Sequence, residues 1–195
     1  MNKLVSATNF AAVSHRFQRR KNKEMDPYIN HPIEVANLLS DAGITDVDIL
    51  CAAVLHDTIE DCGVTYDQIC EKFGKRVADF IKECSDDKSL SKVERKKQQI
   101  EHAKTISTGA KLIKSADKLS NIKGLADNPP VFWAKEEIDG YFDWSYAVCL
   151  ELRGYNSNLD TQLDSIFATK GLSNIDKDDL DVRVKKYYEY INNAN

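Results

Sequence analysis

Helical periodicity runs through nearly the whole chain, and this is the feature that most restricts how the chain can fold. Only four prolines and eight glycines interrupt its 195 residues. Apolar residues recur at spacings of three and four, which indicates amphipathic helices rather than half-buried strands. The sequence therefore predicts an all-α fold.

Length and composition indicate an ordinary globular protein. A chain of 195 residues can bury a sizeable core but is short for two typical domains. Hydrophobic residues make up 42% and charged residues 30%, as in folded proteins. The start of the chain has only short apolar runs before His15, so we expect neither a signal peptide nor a membrane span. We predict a single domain over residues 1–195 and a cytoplasmic location.

Cysteine usage and net charge argue against several classes of protein. The five cysteines form no CxxC pair and stand among apolar residues, which predicts small buried side chains in a reducing compartment rather than a structural zinc site. A net charge of −4 argues against a nucleic-acid partner, because phosphate contacts need concentrated lysine and arginine. No membrane partner is expected either, and the oligomeric state is left open.

Periodicity also predicts where the helices lie. The segment 46–56 has an almost unbroken apolar run and should be the buried central helix. Thr65 to Gln68 has the form of a capping box, ahead of two consecutive helices. The remaining helices are predicted over residues 32–41, 93–103, 110–122, 132–152, 159–168 and 180–191.

A dense polar segment, HDTIED at residues 56–61, follows the most apolar helix directly. Placing such side chains there is costly unless they have a purpose. If the helix continued, His56 and Glu60 would share one face and Asp57 and Asp61 the next, so that a metal site and a carboxylate pair could converge. A solvated helix end beside a core histidine is the alternative, and this segment alone leaves both open.

Two further segments extend the pattern. His31 stands in PYINHP, just before a predicted helix, and Asp117 interrupts an apolar stripe in KSADKLSN. The ordered series PYINHP, AVLHDTIED and KSADKLSN resembles the HD superfamily, specifically the hydrolase domain of RelA/SpoT proteins, and above all its small stand-alone metazoan members. The likeness covers about residues 10–153, with the strings DDKSL, VERKKQ, GAKLIK and YFDW, and leaves C-terminal helices over 154–195 outside it.

The resemblance implies a metal-dependent phosphohydrolase and a role for each motif residue. Glu60 and Asp61 would position and deprotonate the attacking water or protonate the leaving oxygen, with at least one pKa raised by the neighbouring carboxylate. Which of the two is the acid is left open. His15 and His102 match no ligand motif and are expected at the surface or in helix packing. Manganese is the implied ion, and the implied ligands are two imidazoles and two carboxylates, a set that suits it: His31, His56, Asp57 and Asp117.

Substrate contacts are implied as well. In the resembling family an arginine–lysine pair binds the nucleotide, an asparagine contacts the sugar, and a tyrosine touches the substrate. A solvated basic turn, a core aromatic cluster and a solvated charged face are the alternatives for these residues. The matching residues here, together with one lysine that could contact phosphate, are Arg20, Lys21, Lys92, Asn121 and Tyr141.

The resemblance implies hydrolysis of guanosine 3′,5′-bis(diphosphate), ppGpp, to GDP and pyrophosphate, with no length left for a synthetase domain. Removal of the 2′-phosphate from NADPH at the same metal site is the alternative. An inactive nucleotide-binding module is a third, against which the complete ligand set argues. Gly124 stands where bacterial relatives often carry threonine, and the loop between Lys21 and Pro27 is slightly longer than theirs, so base recognition stays open.

Overall fold

The structure is a computed structural model that describes residues 2–193, and these residues form an all-helical fold, as predicted. Their one β interaction is an isolated antiparallel bridge between Arg19 and Pro27. None of the described helices is long and apolar enough to cross a membrane. In chain order the helices are α1 (Asn2–Ser14), α2 (Asn30–Asp41), α3 (Val47–Leu55), α4 (Thr58–Cys62), α5 (Tyr66–Phe73), α6 (Lys75–Cys84), α7 (Lys92–Thr105), α8 (Thr108–Asp127), α9 (Lys135–Leu150), α10 (Ser157–Thr169) and α11 (Lys177–Asn193).

Each predicted helix is present, with bounds that differ by a few residues. The capping box forms as expected: Thr65 Oγ1 accepts from the Gln68 amide at 3.2 Å, and Gln68 Oε1 accepts from the Thr65 amide at 2.9 Å. Helix α1 is not predicted from the sequence. This helix buries only two alanines and exposes Val5 and Val13, so its amphipathic pattern is weak.

Helix α3 lies at the centre of the fold. Its residues 49–55 are all buried, because α1, α2, α6 and α8 pack around it. Asp46 caps its first turn by accepting a 2.9 Å hydrogen bond from the Asp48 amide. The prediction of a central buried helix is confirmed, and the elements around it carry the polar motifs.

Helix α3 does not continue through residues 56–61. His56 Nδ1 donates to the Ala53 carbonyl at 2.8 Å, and Thr58 Oγ1 donates to the Leu55 carbonyl at 2.7 Å. These side chains take carbonyl oxygens that a continuing helix would bond to backbone amides. The break places His56 and Asp57 between α3 and α4, so tertiary packing, rather than a shared helix face, brings the polar residues together.

The C-terminal helix α11 packs along α9. Gly140 allows this close approach, because a Cβ atom there would lie 2.4 Å from Cδ2 of Tyr187, which is itself buried. Helix α9 also carries Tyr141 and Trp144, which lie in the same apolar cluster as Tyr187 or against it. The α9–α11 contact therefore fixes the position of Tyr141 and Trp144, which form one wall of a polar site.

Cysteines and the two histidines outside the motifs behave largely as predicted. Cys51 and Cys149 are buried, the other three cysteines are half-buried, and all five are free thiols. Burial raises the pKa of Cys149 to about 12, so this thiol is unreactive at neutral pH. His15 is buried against the ring of Tyr28, whereas His102 is exposed.

Candidate metal centre and active site

Four side chains from three parts of the chain point at one another. His31 lies in the first turn of α2, His56 and Asp57 lie in the α3–α4 break, and Asp117 lies in α8. The Nε2 atom of His31 is 3.2 Å from Asp117 Oδ1 and 3.8 Å from Asp57 Oδ2. The Nε2 atom of His56 is 3.0 Å from Asp57 Oδ2 and 3.7 Å from Asp117 Oδ1. Two imidazoles and two carboxylates thus surround one point.

Second contacts orient both imidazoles towards that point. A carbonyl can only accept, so the bond from His56 to the Ala53 carbonyl fixes the proton on Nδ1 and leaves a lone pair on Nε2. Ser120 Oγ donates to Glu34 at 2.8 Å, and its oxygen can therefore accept from His31 Nδ1 at 2.9 Å. In their neutral forms both histidines present Nε2 towards that point as a ligand atom.

This donor set fits a divalent cation. His56 Nε2 is buried and makes no hydrogen bond to any described residue, which is costly unless another partner binds it. Burial disfavours the charged form of His56, yet the carboxylates of Asp57 and Asp117 outweigh it and raise the pKa of His56 well above the usual value. The site therefore favours positive charge between these groups. Among the described residues, His31, His56 and Asp117 alone form a group whose ligand atoms all lie within 4.8 Å of one another; Asp57 lies outside this group, although its Oδ2 is 3.0 Å from His56 Nε2.

Three neighbours hold the carboxylates in place. Tyr28 Oη donates to Asp57 Oδ2 at 2.7 Å, and the two oxygens of Asp117 accept from Asn121 Nδ2 at 2.7 Å and Lys118 Nζ at 3.1 Å. Tyr28 and Lys118 are not singled out from the sequence. The one sequence feature that marks them is that they are close to a predicted ligand: Tyr28 belongs to PYINHP, and Lys118 follows Asp117 directly.

Glu60 and Asp61, the predicted acidic pair, face different spaces. Glu60 Oε2 accepts from the Asp86 amide at 3.1 Å, whereas Asp61 accepts from Lys88 Nζ at 2.6 Å and Gln18 Nε2 at 2.9 Å. Burial is the main cause that raises the pKa of Glu60, and the charges of Asp86, Asp57 and Asp61 add to it. Burial rather than the neighbouring carboxylate is thus the main cause of the raised pKa expected for one member of this pair.

Two adjoining cavities meet at this cluster. The outer cavity has a volume of about 600 Å³ and includes Asp61, and the inner cavity has a volume of about 160 Å³ and includes Glu60. All four candidate ligands line the inner cavity, and His31 lines the outer cavity as well, so the cluster lies where the two cavities meet. Four residues line both cavities: Tyr28, His31, Asn121 and Tyr141.

Most of the predicted substrate contacts line the outer cavity. Arg20, Lys21, Asn121 and Tyr141 are all there, as is Gly124. Lys92 lines neither cavity and instead pairs with Glu137 at 3.2 Å. Lys96, one helical turn further along α7, lines the inner cavity.

A family model described as an HD domain matches residues 7–139, more than half of the chain, and covers all the residues of the cluster. The chain belongs to the HD domain family.

Relatives within the HD domain family confirm the resemblance to RelA/SpoT proteins. The chain is 46% identical over 171 residues to guanosine-3′,5′-bis(diphosphate) 3′-pyrophosphohydrolase MESH1 of Xenopus tropicalis, and 47% identical over 171 residues to that of Mus musculus. Each match covers 87% of this chain and 96% of the relative. A solved HD domain structure, a metazoan ortholog of SpoT that hydrolyses ppGpp, superposes with a TM-score of 0.86 at 46% identity, covering 88% of this chain and 97% of that one.

Proposed function

We propose that this protein is a metal-dependent hydrolase that cleaves ppGpp to GDP and pyrophosphate. The observation that carries the proposal is the convergence of two Nε2 lone pairs and two carboxylates on one point, at the junction of two cavities. Relatives of nearly equal length carry this activity in their names. The proposed metal ligands are His31, His56, Asp57 and Asp117.

The chemistry follows from what faces the junction. A divalent ion, when bound, supplies positive charge beside phosphorus and makes water more acidic. Water attacks the phosphorus attached to the 3′ oxygen, the bond between them breaks, and the ribose oxygen leaves as a hydroxyl while pyrophosphate gains the water oxygen. Glu60 has a raised pKa and transfers the proton between the attacking water and the leaving ribose oxygen. Asp61 positions the substrate from the outer cavity.

The outer cavity suits the nucleoside end of the substrate. Its volume of about 600 Å³ lies within the usual size of small-molecule sites, roughly 300–1,000 Å³. Arg20 and Lys21 supply positive charge for the 5′-diphosphate, while Asn121 stands one helical turn from Asp117, where it can reach the ribose. Tyr141 offers an aromatic face at the boundary with the inner cavity.

Manganese is the ion we propose, because imidazole and carboxylate together suit first-row divalent metals. Activity is tested by measuring kcat/KM for ppGpp and NADPH side by side with Mn²⁺, following release of pyrophosphate or phosphate. We expect ppGpp to be preferred, in line with the names of the relatives. Turnover of another nucleotide without turnover of ppGpp would contradict the proposal.

A further inference from the structure

An unpaired ammonium group faces the inner cavity. Lys96 lines this cavity, and its Nζ lies 3.2 Å from the ring centroid of Trp144 and 4.4 Å from that of Tyr141. No carboxylate oxygen of residues 2–193 lies within ion-pair distance of Lys96 Nζ, whereas Lys88, Lys92 and Lys118 each have such a partner. A partly desolvated cation without a counter-ion is costly, which points to a bound anion.

Trp144 holds the side chain of Lys96 in a fixed position. Its side chain is 1% exposed, and its Nε1 donates a 2.9 Å hydrogen bond to the Lys96 carbonyl. The same tryptophan therefore holds the backbone of Lys96 and carries its ammonium on the ring face, a favourable cation–π arrangement. The lysine is positioned before any ligand binds, so little conformational entropy is lost when an anion arrives.

The charges around the cavity favour an anion once a metal is present. Two other lysines, Lys114 and Lys118, line the cavity with Lys96, and Lys114 Nζ donates to the Cys84 carbonyl at 3.0 Å. Four carboxylates oppose these three lysines, so, with all seven groups in their charged forms, a divalent ion at the junction makes the net charge of the lining positive. Burial, and after it the charge of Lys118, lowers the pKa of Lys96 well below its usual range, so an anion beside Lys96 would stabilise its charged form.

We infer that the inner cavity is the subsite for the terminal phosphoryl group of a diphosphate ester, and that Lys96, seated on Trp144, binds this group. The inference rests on the proposed function and explains why the enzyme would prefer a 3′-diphosphate to a 3′-monophosphate. The cavity volume of about 160 Å³ leaves room for one phosphoryl group, and it is much smaller than the outer cavity of about 600 Å³, which suits the nucleoside.

The geometry explains how a diphosphate lies across the metal centre. The nucleoside occupies the outer cavity, the phosphorus under attack is at the junction, and the second phosphoryl group extends to Lys96. After the bond to the 3′ oxygen breaks, that group remains on the departing pyrophosphate, whose charge Lys96 offsets. A phosphomonoester has no group to reach Lys96 and gains nothing from it.

The test compares two substrates in two variants. Lys96→Met keeps the length of the side chain and its contact with Trp144 but removes the charge. Lys97→Met is the matched control, because Lys97 is exposed and pairs with Glu94 at 3.0 Å. Substrates are ppGpp and guanosine 5′-diphosphate 3′-monophosphate. We expect Lys96→Met to lower kcat/KM for ppGpp about 10- to 100-fold, as for loss of one charged hydrogen bond, and to lower kcat/KM for the monophosphate by less than about threefold.

Equal losses for both substrates, or no loss for either, would overturn the inference. A measurement on the unmutated protein removes dependence on folding of the variant: pyrophosphate should slow acetylation of Lys96, but not of Lys97, in the manganese-loaded enzyme, as read by mass spectrometry. Equal acetylation of Lys96 with and without pyrophosphate would also overturn it. Failure of the proposed function would appear separately, as a wild-type enzyme that does not cleave ppGpp, and the acetylation result would still decide the role of Lys96.

Discussion

Tyr28 Oη donates a 2.7 Å hydrogen bond to Asp57 Oδ2, the carboxylate oxygen that lies 3.0 Å from His56 Nε2. Burial, and then the charge of Asp57, raises the pKa of Tyr28, so the phenol keeps its proton at neutral pH and remains a donor. The tyrosine therefore orients one carboxylate of the candidate metal centre without being a ligand.

Replacing Tyr28 with phenylalanine should weaken metal binding by about 10- to 100-fold, the usual effect of removing a group that orients a ligand. Calorimetric titration with Mn²⁺ measures this. Tyr66→Phe is the control, because Tyr66 makes an equivalent 2.6 Å hydrogen bond to Asp79 outside both cavities. The same affinity in both variants would show that Tyr28 does not orient Asp57.

Removing the metal should abolish hydrolysis. We expect a chelator to stop release of pyrophosphate, and Mn²⁺ to restore it better than Mg²⁺, because imidazole ligands suit manganese and magnesium prefers oxygen. Activity is measured after exhaustive chelation and again after titration with each ion. Full activity in the metal-free protein would rule out the proposed chemistry.

Variants of the acidic pair and variants of the metal ligands should differ in two measurements, kcat and bound manganese. Glu60→Gln and Asp61→Asn keep shape but remove a proton carrier or positioning charge, so kcat should fall about 10²- to 10⁴-fold while bound manganese is retained. Asp57→Ala should empty the metal site. Metal content measured beside kcat distinguishes the two classes. The assignment of roles would be wrong if the glutamine and asparagine variants lost metal as completely as Asp57→Ala.

Cations of the outer cavity should affect binding more than chemistry. Arg20→Ala and Lys21→Ala remove charges that contact phosphate in the ground state and transition state alike, so KM for ppGpp should rise while kcat changes little. Lys23→Ala is a control from the same loop, since Lys23 lines neither cavity. An unchanged KM in both test variants would move the phosphate contacts elsewhere.

Two glycines should respond in opposite ways to alanine. At Gly140 a Cβ would clash with the buried ring of Tyr187, and we expect a loss of about 1–3 kcal/mol in the free energy of unfolding. At Gly124, inside α8, the nearest atom is Arg20 Nη2 at 3.5 Å, so alanine fits and should stabilise the helix by up to about 1 kcal/mol. Denaturant unfolding of the two variants checks both signs.

Periodicity and a capping box predicted most of the helices, and the ordered motifs, through the resemblance to RelA/SpoT proteins, predicted the residues that meet at the candidate metal centre. The direction in which each side chain points was harder to predict from the sequence. Lys92 and Lys96 are four residues apart and share a helix face, so spacing cannot separate the one that pairs with Glu137 from the one that enters the inner cavity.

The break after Leu55 was equally hidden, since it depends on side chains that capture backbone carbonyls. Glu60 and Asp61 face separate cavities although they are neighbours in sequence, because both lie in α4, where successive side chains point about 100° apart.

The fit of Tyr187 against Gly140 has an evolutionary consequence. Since the two residues occupy one shared volume, a lineage that acquires a side chain at position 140 must shrink the residue at position 187 or lose the packing of α11. Substitutions at these positions should therefore covary among homologues. Substitutions in α11 are therefore constrained by α9, which carries Tyr141 and Trp144, although α11 is far from the metal ligands along the chain.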